Sequence, residues 1–382
     1  MQRALIALAL AALAALAACP APRVAPVPPG EPVVDADWGE DLIPPAWNGV
    51  EEAEVFTRAA GGAFLFPRPL PPSTDPANAI DKFNNGDGLY VHGSKTGFSL
   101  LATPITIHGS GRAGVIYDVD SVHTRDVTED CSVEIVDAAA NAYQMWGLRR
   151  YGLQGGATRR VSVSGVVREH GIYDEVIGEY TYEDVLTEDC GAQGIQLRFT
   201  PSNPATSPYW LDPKTLTITR CAVIECGLAR GAGRAAFGVS IKALGPNATV
   251  LIDGLVVQTV NQTAVKVYNG KTYDSFGALL VEFCDAVDVT NSLFAMKNPD
   301  RDAIQFFNYG WKGQTGGGPR HIRVKNCTLR RGNTIVVREG DGESIDISGC
   351  TGDGWIRVLT YQAGTWRVAR TVPIEQGYSW SK

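Results

Sequence analysis

The sequence lacks the short motifs that identify many enzymes and metal proteins. It contains no Gly-x-Ser-x-Gly, P-loop or His-Glu-x-x-His segment, and its five histidines are scattered without a Cys-x-x-Cys pair. These absences argue against an α/β-hydrolase, a P-loop nucleotide hydrolase and a zinc protease. Metal binding through cysteine and histidine is therefore not expected.

An excess of positive charge is also missing. The net charge is −7, which argues against a protein that coats nucleic acid, because such proteins usually present a basic face. After residue 18 no apolar run approaches the length of a membrane span. The 42 glycines and 22 prolines favour many turns and few long helices.

What the sequence does contain is a short phrase that returns along the chain. In each copy a small residue or a tryptophan precedes an aliphatic residue that begins an in–out alternation, the period of a half-buried strand. Two of the steps, from Ile172 to Ile195 and from Ile335 to Ile356, are 23 and 21 residues long. A recurrence of this length predicts stacked coils that bury their apolar faces on one another. The copies are Gly171–Asp174, Gly194–Arg198, Gly238–Lys242, Ala264–Tyr268, Ala303–Phe307, Thr334–Arg338 and Trp355–Val358.

Two or three short strands in each coil of about 20 to 25 residues resemble the right-handed parallel β-helix of the pectin-lyase-like fold. The resemblance covers residues 86–360 and depends on the phrasing of the strands, not on catalytic motifs. It implies an all-β solenoid, and a sandwich or propeller is the alternative fold. The long loops between strands are expected to wall the face that carries the phrase.

The amino terminus resembles a bacterial lipoprotein signal. Arg3 precedes the apolar run Ala4–Ala18, and Leu16-Ala17-Ala18-Cys19 has the form of a lipobox. This resemblance implies cleavage before Cys19, acylation of its thiol, export, and anchoring at the bacterial cell envelope. An ordinary secretory signal with a chance cysteine is the alternative, and it would give a secreted protein.

The remaining boundaries follow from composition and pattern. We expect a signal peptide at 1–18, a Pro-rich tether at 19–47, an N-terminal cap at 48–85, the β-helix at 86–360 and a C-terminal cap or tail at 361–382. Capping-box spacing predicts one short helix at 51–60 inside the N-terminal cap, where it would cover the open end of the solenoid.

Seven cysteines follow Cys19. Cys221, Cys327 and Cys350 each come directly after a strand in the same register, which favours small apolar core filler at one corner of the coil. One disulfide is the alternative in an exported protein, and the odd number leaves at least one thiol free.

The alternation also predicts a binding surface. If the aliphatic residue of each phrase points inward, its neighbours form two outward columns on strands about 4.8 Å apart. Rows of cations, amides and aromatic rings suit an extended anionic polysaccharide, whereas a merely solvated sheet face is the alternative. The residues predicted to form this exposed strip are Tyr173, Gln196, Arg198, Lys242, Lys266, Tyr268, Gln305 and Phe307.

The resemblance suggests two catalytic templates. A polysaccharide lyase would use Lys242, Lys266, Tyr268 or Arg198 near a uronate, and a glycoside hydrolase would use Asp300, Asp302 or Glu339. His170, beside Glu169 and Asp174, is a further general-base candidate, but its apparent alignment with Cys190 favours a structural turn position. The signatures of both enzyme classes are absent, and the weak catalytic candidates are Lys242, Lys266, Asp302 and His170.

Cofactor and function remain open at this level. The carboxylates of Asp285–Asp288 and Asp300–Asp302 could hold Ca²⁺, but they lack an EF-hand spacing and solvated turns are the simpler interpretation. We expect a lipid-anchored protein that binds an extracellular or envelope polysaccharide, with cleavage undecided. The alternative is a non-catalytic adhesin, envelope-structure protein or phage-related spike that uses the solenoid as a spacer.

Overall fold

The computed structural model describes backbone and side chains at 127–135, 146–166, 169–199, 209–227, 237–258, 277–296, 304–307, 318–362 and 366–382. Several further strands are described by their backbone alone. The expected signal peptide, tether and helix at 51–60, together with Cys19, lie outside the described residues. The domain boundaries at 1–18, 19–47, 48–85, 86–360 and 361–382 stay predictions. Within the described part, no helix has the length and apolar character that a membrane span requires.

The first of two large sheets, sheet A, has 12 strands paired in chain order. Its pairing is parallel except at the two ends, where β1 meets β2 and β28 meets β29. The strands are β1 (Ile80–Lys82), β2 (Leu89–Val91), β5 (Ala113–Tyr117), β7 (Trp146–Leu153), β9 (His170–Val176), β11 (Ile195–Arg198), β14 (Val239–Lys242), β19 (Leu279–Val281), β22 (Asp302–Gln305), β25 (Thr334–Arg338), β28 (Trp355–Gln362) and β29 (Thr365–Pro373).

The second, sheet B, has 16 strands and alternates with sheet A along the chain. Only its last strand pairs antiparallel, against β26. Its strands are β3 (Ser99–Leu101), β4 (Pro104–His108), β6 (Asp126–Val136), β8 (Gly156–Ser164), β10 (Tyr180–Glu188), β12 (Lys214–Thr219), β13 (Ala222–Ile224), β15 (Ala248–Asp253), β16 (Val256–Thr259), β20 (Ala286–Thr290), β21 (Leu293–Met296), β23 (His321–Lys325), β24 (Thr328–Leu329), β26 (Ser344–Ser348), β27 (Thr351–Gly352) and β30 (Tyr378–Ser381). The architecture is all-β and mostly parallel, which is compatible with a β-helix-like fold.

The register of sheet A confirms most of the repeated phrase. Ile195 pairs with Ile172 on one side and with Val239 on the other, and Ile335 pairs with Ile304 and Ile356. These aliphatic side chains are fully buried in one hydrophobic core that both sheets share. Period-2 alternation therefore placed the inward residues correctly in six of the seven phrases, the exception being Ala264–Tyr268.

The glycine that opens several of the phrases has a packing cause. At Gly194, an added Cβ would lie 2.3 Å from Thr187 Oγ1 and 2.4 Å from Val223 Cγ1, both on sheet B. At Gly238 the corresponding clash is with Val257, at 2.5 Å. At Gly194 and Gly238 the two sheets therefore approach so closely that a larger residue would force a neighbour to shift.

One part of the core is polar. Arg150 and Asp174 are both fully buried, and Arg150 Nε donates to Asp174 Oδ1 at 3.0 Å. Arg150 Nη1 also donates to Thr128 Oγ1 at 2.9 Å, and Tyr182 Oη donates to Asp174 Oδ2 at 2.6 Å. Asp174 thus faces the interior instead of lying beside His170 as a catalytic partner. The network joins β6, β7, β9 and β10, so it ties both sheets together.

The cysteines behave as the register predicted. All seven that follow Cys19 are buried and none is bridged. Cys327 and Cys350 occupy the same turn on successive strands, because Lys325 pairs with Ser348 and Thr328 with Thr351. Burial raises the pKa of the Cys221 thiol to about 12, which disfavours the reactive thiolate.

The carboxyl end closes the core with antiparallel strands. β29 pairs with β28, and β30 pairs with β26. Between them a short 3₁₀ segment, Ile374–Gln376, buries Ile374 completely, and its backbone N–H donates to the carbonyl of Gly354 at 2.9 Å. These antiparallel strands end the parallel pairing of both sheets, and Ile374 belongs to the buried core next to them.

Candidate functional site

The outer face of sheet A carries two rows of side chains that alternate with the buried aliphatic residues. Register pairs connect the first outer row strand by strand, from Arg149 opposite Tyr173 to Val336 opposite Arg357. The first outer row is Arg149, Tyr173, Gln196, Ser240, Leu280, Gln305, Val336 and Arg357. The second outer row lies two residues further along each strand and contains Glu175, Arg198, Lys242, Glu282, Phe307 and Arg338.

The predicted strip is not exposed along its length, which corrects the sequence-based expectation. Tyr173 and Gln196 each expose 7%, Gln305 and Phe307 each 2%, and Ser240 none of their surface. Alternation determines only which side of the sheet a residue occupies, and residues on the outer side can still be covered. Ser240 Oγ and Gln305 Nε2 are buried without a hydrogen-bond partner, which is unusual for polar atoms in a folded protein.

Lys266 and Tyr268 do not belong to sheet A. Their segment forms strand β17 (Lys266–Tyr268), which pairs antiparallel with β18 (Lys271–Tyr273) in a separate hairpin. The position expected for Val265 is taken by Leu279, which pairs with Val239 and Ile304. The phrase at Ala264 therefore has the local pattern of a sheet A strand without its pairing.

One half-buried part of the face lies towards its amino-terminal strands, and another, with Arg338 and Arg357, lies towards its carboxyl-terminal strands. In the first of these parts, the Arg149 guanidinium carbon lies 3.7 Å from the ring centroid of Trp146 and 5.0 Å from that of Tyr173. Arg198 approaches the same Tyr173 ring at 4.7 Å. Burial raises the pKa of the Tyr173 phenol, although both arginines oppose the shift. The phenol therefore stays protonated at neutral pH and can donate a hydrogen bond.

Lys242 and Glu282 are the titratable pair of this face. Lys242 is half-buried and Glu282 is buried on the next strand. Burial lowers the pKa of Lys242 and raises that of Glu282, while the charge of each opposes the other's shift. Arg198 lowers the pKa of Lys242 further. An amine that loses its proton more readily than usual is suited to proton abstraction, so Lys242 stays one of the catalytic candidates.

His170 occupies a different place from the one its sequence neighbours indicated. It aligns with Gln193, because Gly171 N–H donates to the carbonyl of Gln193 and Ile172 pairs with Ile195. The expected alignment with Cys190 was wrong. The imidazole is 7% exposed, its ring centroid lies 5.1 Å from that of Tyr173, and its Nε2 is 3.4 Å from Glu169 Oε2. The His170 ring therefore packs against Tyr173.

Of the three carboxylates considered for hydrolysis, only Glu339 has a described side chain. Glu339 accepts from Arg370 at 2.5 Å and from the Tyr378 hydroxyl, near the carboxyl end. Asp302 begins β22, opposite Thr334 at a register shift, and only its backbone is described. Asp300 lies outside the described residues.

Two of the aspartates considered for Ca²⁺ binding form ion pairs with arginines instead. Asp285 pairs with Arg320 and Asp288 with Arg323, each through a strand neighbour in sheet B. Within the described ranges, no three His, Cys, Asp or Glu side chains are arranged to hold a metal ion. A separate cavity of about 680 Å³ lies at the turn from sheet A to sheet B, between Glu179 and Asp212, and does not include either outer row.

Comparison with family models, with curated proteins and with solved structures found no match. The chemistry of the site therefore has to be argued from its own residues.

Sequence reasoning missed Trp146, Arg149 and Glu282. The segment Trp146–Arg149 contains Gly147-Leu148, which is another copy of the small–aliphatic phrase, and the segment Ala278–Val281 is a further one. Their alignment with the known copies would have placed Arg149 and Glu282 on the outer face. Trp146 precedes the phrase, and its contact with Arg149 depends on side-chain packing.

Proposed function

We propose that the chain is an exported, lipid-anchored protein with a right-handed parallel β-helix that binds an extracellular or envelope polysaccharide on the outer face of sheet A. The alternation of two parallel sheets along the chain supports the β-helix. Right-handedness is supported by the strong general preference of parallel crossover connections for that hand.

The observation that carries the binding proposal is the contrast between the two outer faces. On sheet B, Arg323 pairs with Asp288, and Lys325 Nζ lies 3.0 Å from Asp346 Oδ2. That face has the neutralised charges of a solvated scaffold. On sheet A, Arg198 lies 4.7 Å from the centroid of the Tyr173 ring and pairs in register with Lys242. Both cations are half-buried, and neither forms an ion pair within the described ranges, although the charge of Glu282 acts on Lys242. Cations, amides and aromatic rings in rows offer complementary groups to sugar carboxylates, hydroxyls and ring C–H surfaces.

The test compares glycan binding by the mature chain and by two matched double variants. Arg198→Ala/Lys242→Ala removes two cations from sheet A, and Arg323→Ala/Lys325→Ala removes two from sheet B. Binding to a panel of acidic and neutral glycans is measured by titration calorimetry. We expect the first variant to bind more weakly, most clearly at low salt where charge contacts are least screened, and the second to bind normally.

Unchanged binding in the sheet A variant, or an equal loss in the sheet B variant, would refute the assignment of this face. If no glycan in the panel binds the unmodified chain, the alternative of a non-catalytic scaffold becomes the better-supported function.

Cleavage is followed in the same incubations through new unsaturated or reducing ends. A lyase-type reaction at this face would use the Lys242 amine as the base, since burial lowers its pKa and makes its proton easier to lose. Lys242→Arg keeps the positive charge but not the readily lost proton. Cleavage that survives this change would exclude Lys242 as the base, whereas lost cleavage with retained binding would support it.

The anchor is tested separately. Cys19→Ser should release the protein from membranes into the soluble exported fraction, because acylation of the Cys19 thiol requires the lipobox cysteine. A Ser variant that still fractionates with membranes would show that the anchor assignment is wrong.

A further inference from the structure

Two arginines on the outer face of sheet A bracket one aromatic ring. Arg149 on β7 and Arg198 on β11 flank the strand β9 that carries Tyr173. Their guanidinium carbons lie 5.0 Å and 4.7 Å from the centroid of the Tyr173 ring. Arg149 also lies over Trp146 at 3.7 Å and near Tyr151 at 4.7 Å. Aromatic contacts therefore hold one guanidinium in place from three sides and orient the other.

The described side chains offset the positive charge at this position only in part, through Glu175, which lies opposite Arg198 in the register of β9 and β11. No carboxylate in the described ranges forms an ion pair with Arg149 or Arg198, and the Nε atom of each is buried without a hydrogen bond. Glu175 is near enough to raise the pKa of Arg149, but burial lowers it more strongly and Arg198 lowers it further. A guanidinium stays protonated in proteins, so two like charges face each other in a half-buried setting.

This arrangement differs from that of other arginines in the chain. Arg150 is paired with Asp174, Arg160 with Asp130, and Arg220 with Asp184. Arg159, Arg320, Arg323 and Arg370 also have carboxylate partners. Unpaired donors in a half-buried site are costly to a fold unless water or a ligand accepts their hydrogen bonds.

We propose that Arg149 and Arg198 together bind the anionic substituent, a carboxylate or a sulfate ester, of an acidic glycan, with Tyr173 between them. This inference deepens the proposed function and depends on it. Guanidinium groups present paired N–H donors that match the oxygen atoms of both substituents. Trp146, half-buried beside Arg149, supplies a ring face against which a sugar could pack.

The experiment measures three oligosaccharides of equal length: a uronate, a sulfated sugar and their neutral counterpart. Each is titrated against the mature chain, Arg149→Gln, Arg198→Gln and, as the matched control, Arg159→Gln, whose arginine pairs with Glu183 on sheet B. We expect each sheet A variant to lose roughly 10- to 100-fold in affinity for the acidic sugar, the range for one charge-assisted hydrogen bond. Affinity for the neutral sugar and affinity of the control should stay unchanged.

The pattern across the two acidic sugars identifies the substituent, since only the cognate one should show the arginine-dependent gain. Acidic and neutral sugars that bind equally well, or acidic affinity that survives both substitutions, would overturn the inference while leaving the proposed function intact. If none of the sugars binds the unmodified chain, the proposed function fails, and the inference fails with it. Circular dichroism of each variant establishes that the loss is not due to unfolding.

Discussion

The buried pair of Arg150 and Asp174 should contribute strongly to the stability of the strands β6, β7, β9 and β10. Both side chains are 0% exposed. The Asp174 carboxylate accepts from Arg150 Nε at 3.0 Å and from Tyr182 Oη at 2.6 Å. Replacing Asp174 by Leu would leave the guanidinium uncompensated inside the core. Loss of one partner of such a pair typically costs about 3–5 kcal/mol, and Arg150→Met should cost a similar amount.

The double variant Arg150→Met/Asp174→Leu provides the decisive comparison. It removes both charges and fills the space with apolar groups, so most of the cost of an unpaired charge disappears. The Tyr182 hydroxyl then lacks its acceptor, which retains a cost of about 1–3 kcal/mol. We therefore expect the double variant to be more stable than either single variant. Urea unfolding curves followed by circular dichroism give the three free energies.

An exposed pair provides the control. Asp288→Asn weakens the Arg323–Asp288 pair on sheet B, in which the Arg323 side chain is 52% exposed. An exposed pair contributes at most about 1 kcal/mol. The reasoning would be refuted by core single variants that cost no more than this control, or by a double variant whose loss equals the sum of the two single losses.

Three further predictions concern other parts of the core. Gly194→Ala should destabilise the chain by roughly 1–3 kcal/mol in urea unfolding, because its Cβ would overlap Thr187 and Val223; an unchanged midpoint would contradict the close sheet approach. Burial lowers the pKa of Lys214 to about 8, so above that pH the unfolded chain holds a proton that the folded chain has lost, and this group alone should add roughly 2–3 kcal/mol to the unfolding free energy between about pH 7 and pH 10. Buried thiols, whose pKa burial raises, act in the opposite sense, so the measurement is the difference between the pH profiles of the unmodified chain and of Lys214→Met; identical profiles would exclude this contribution of Lys214. Cys221, Cys327 and Cys350 should resist thiol reagents until urea is added, since all three are buried; rapid native labelling, or peptides linked by a disulfide, would contradict this.

Local pattern was sufficient to predict the strands and most of their register. Ile172, Ile195 and Val239 share a row because a two-residue period and a glycine in front are properties of the segment itself. The same reasoning failed at Val265. The same local pattern occurs twice, at Ala264–Tyr268 and at Ala278–Val281. Only the second segment pairs with β14, and this choice depends on contacts between residues that are distant in the sequence. Pairing between distant strands is not encoded in a five-residue phrase.

The buried ion pair of Arg150 and Asp174 could not be predicted from the sequence for a related reason. Alternation correctly implies that Asp174 points inward, yet an inward carboxylate is implausible unless a buried cation meets it. Its partner Arg150 lies in a segment whose phrase opens with Gly147-Leu148 and, counted along the alternation, points inward as well. The two residues become plausible only together, on adjacent strands and with Tyr182 across the core.

The same dependence on neighbours explains why the candidate site moved towards the amino terminus. Ser240 and Gln305 have the polarity expected of a binding row, but both are buried, whereas Arg149 and Arg198 remain half-buried beside Tyr173. Polar side chains identify the outer face of sheet A, and the exposure of each side chain shows which part of that face a ligand can reach. The two criteria overlap at Tyr173, where two cations without carboxylate partners meet an aromatic ring. Substitutions of Arg149 and Arg198 should therefore affect glycan binding more than substitutions elsewhere on sheet A.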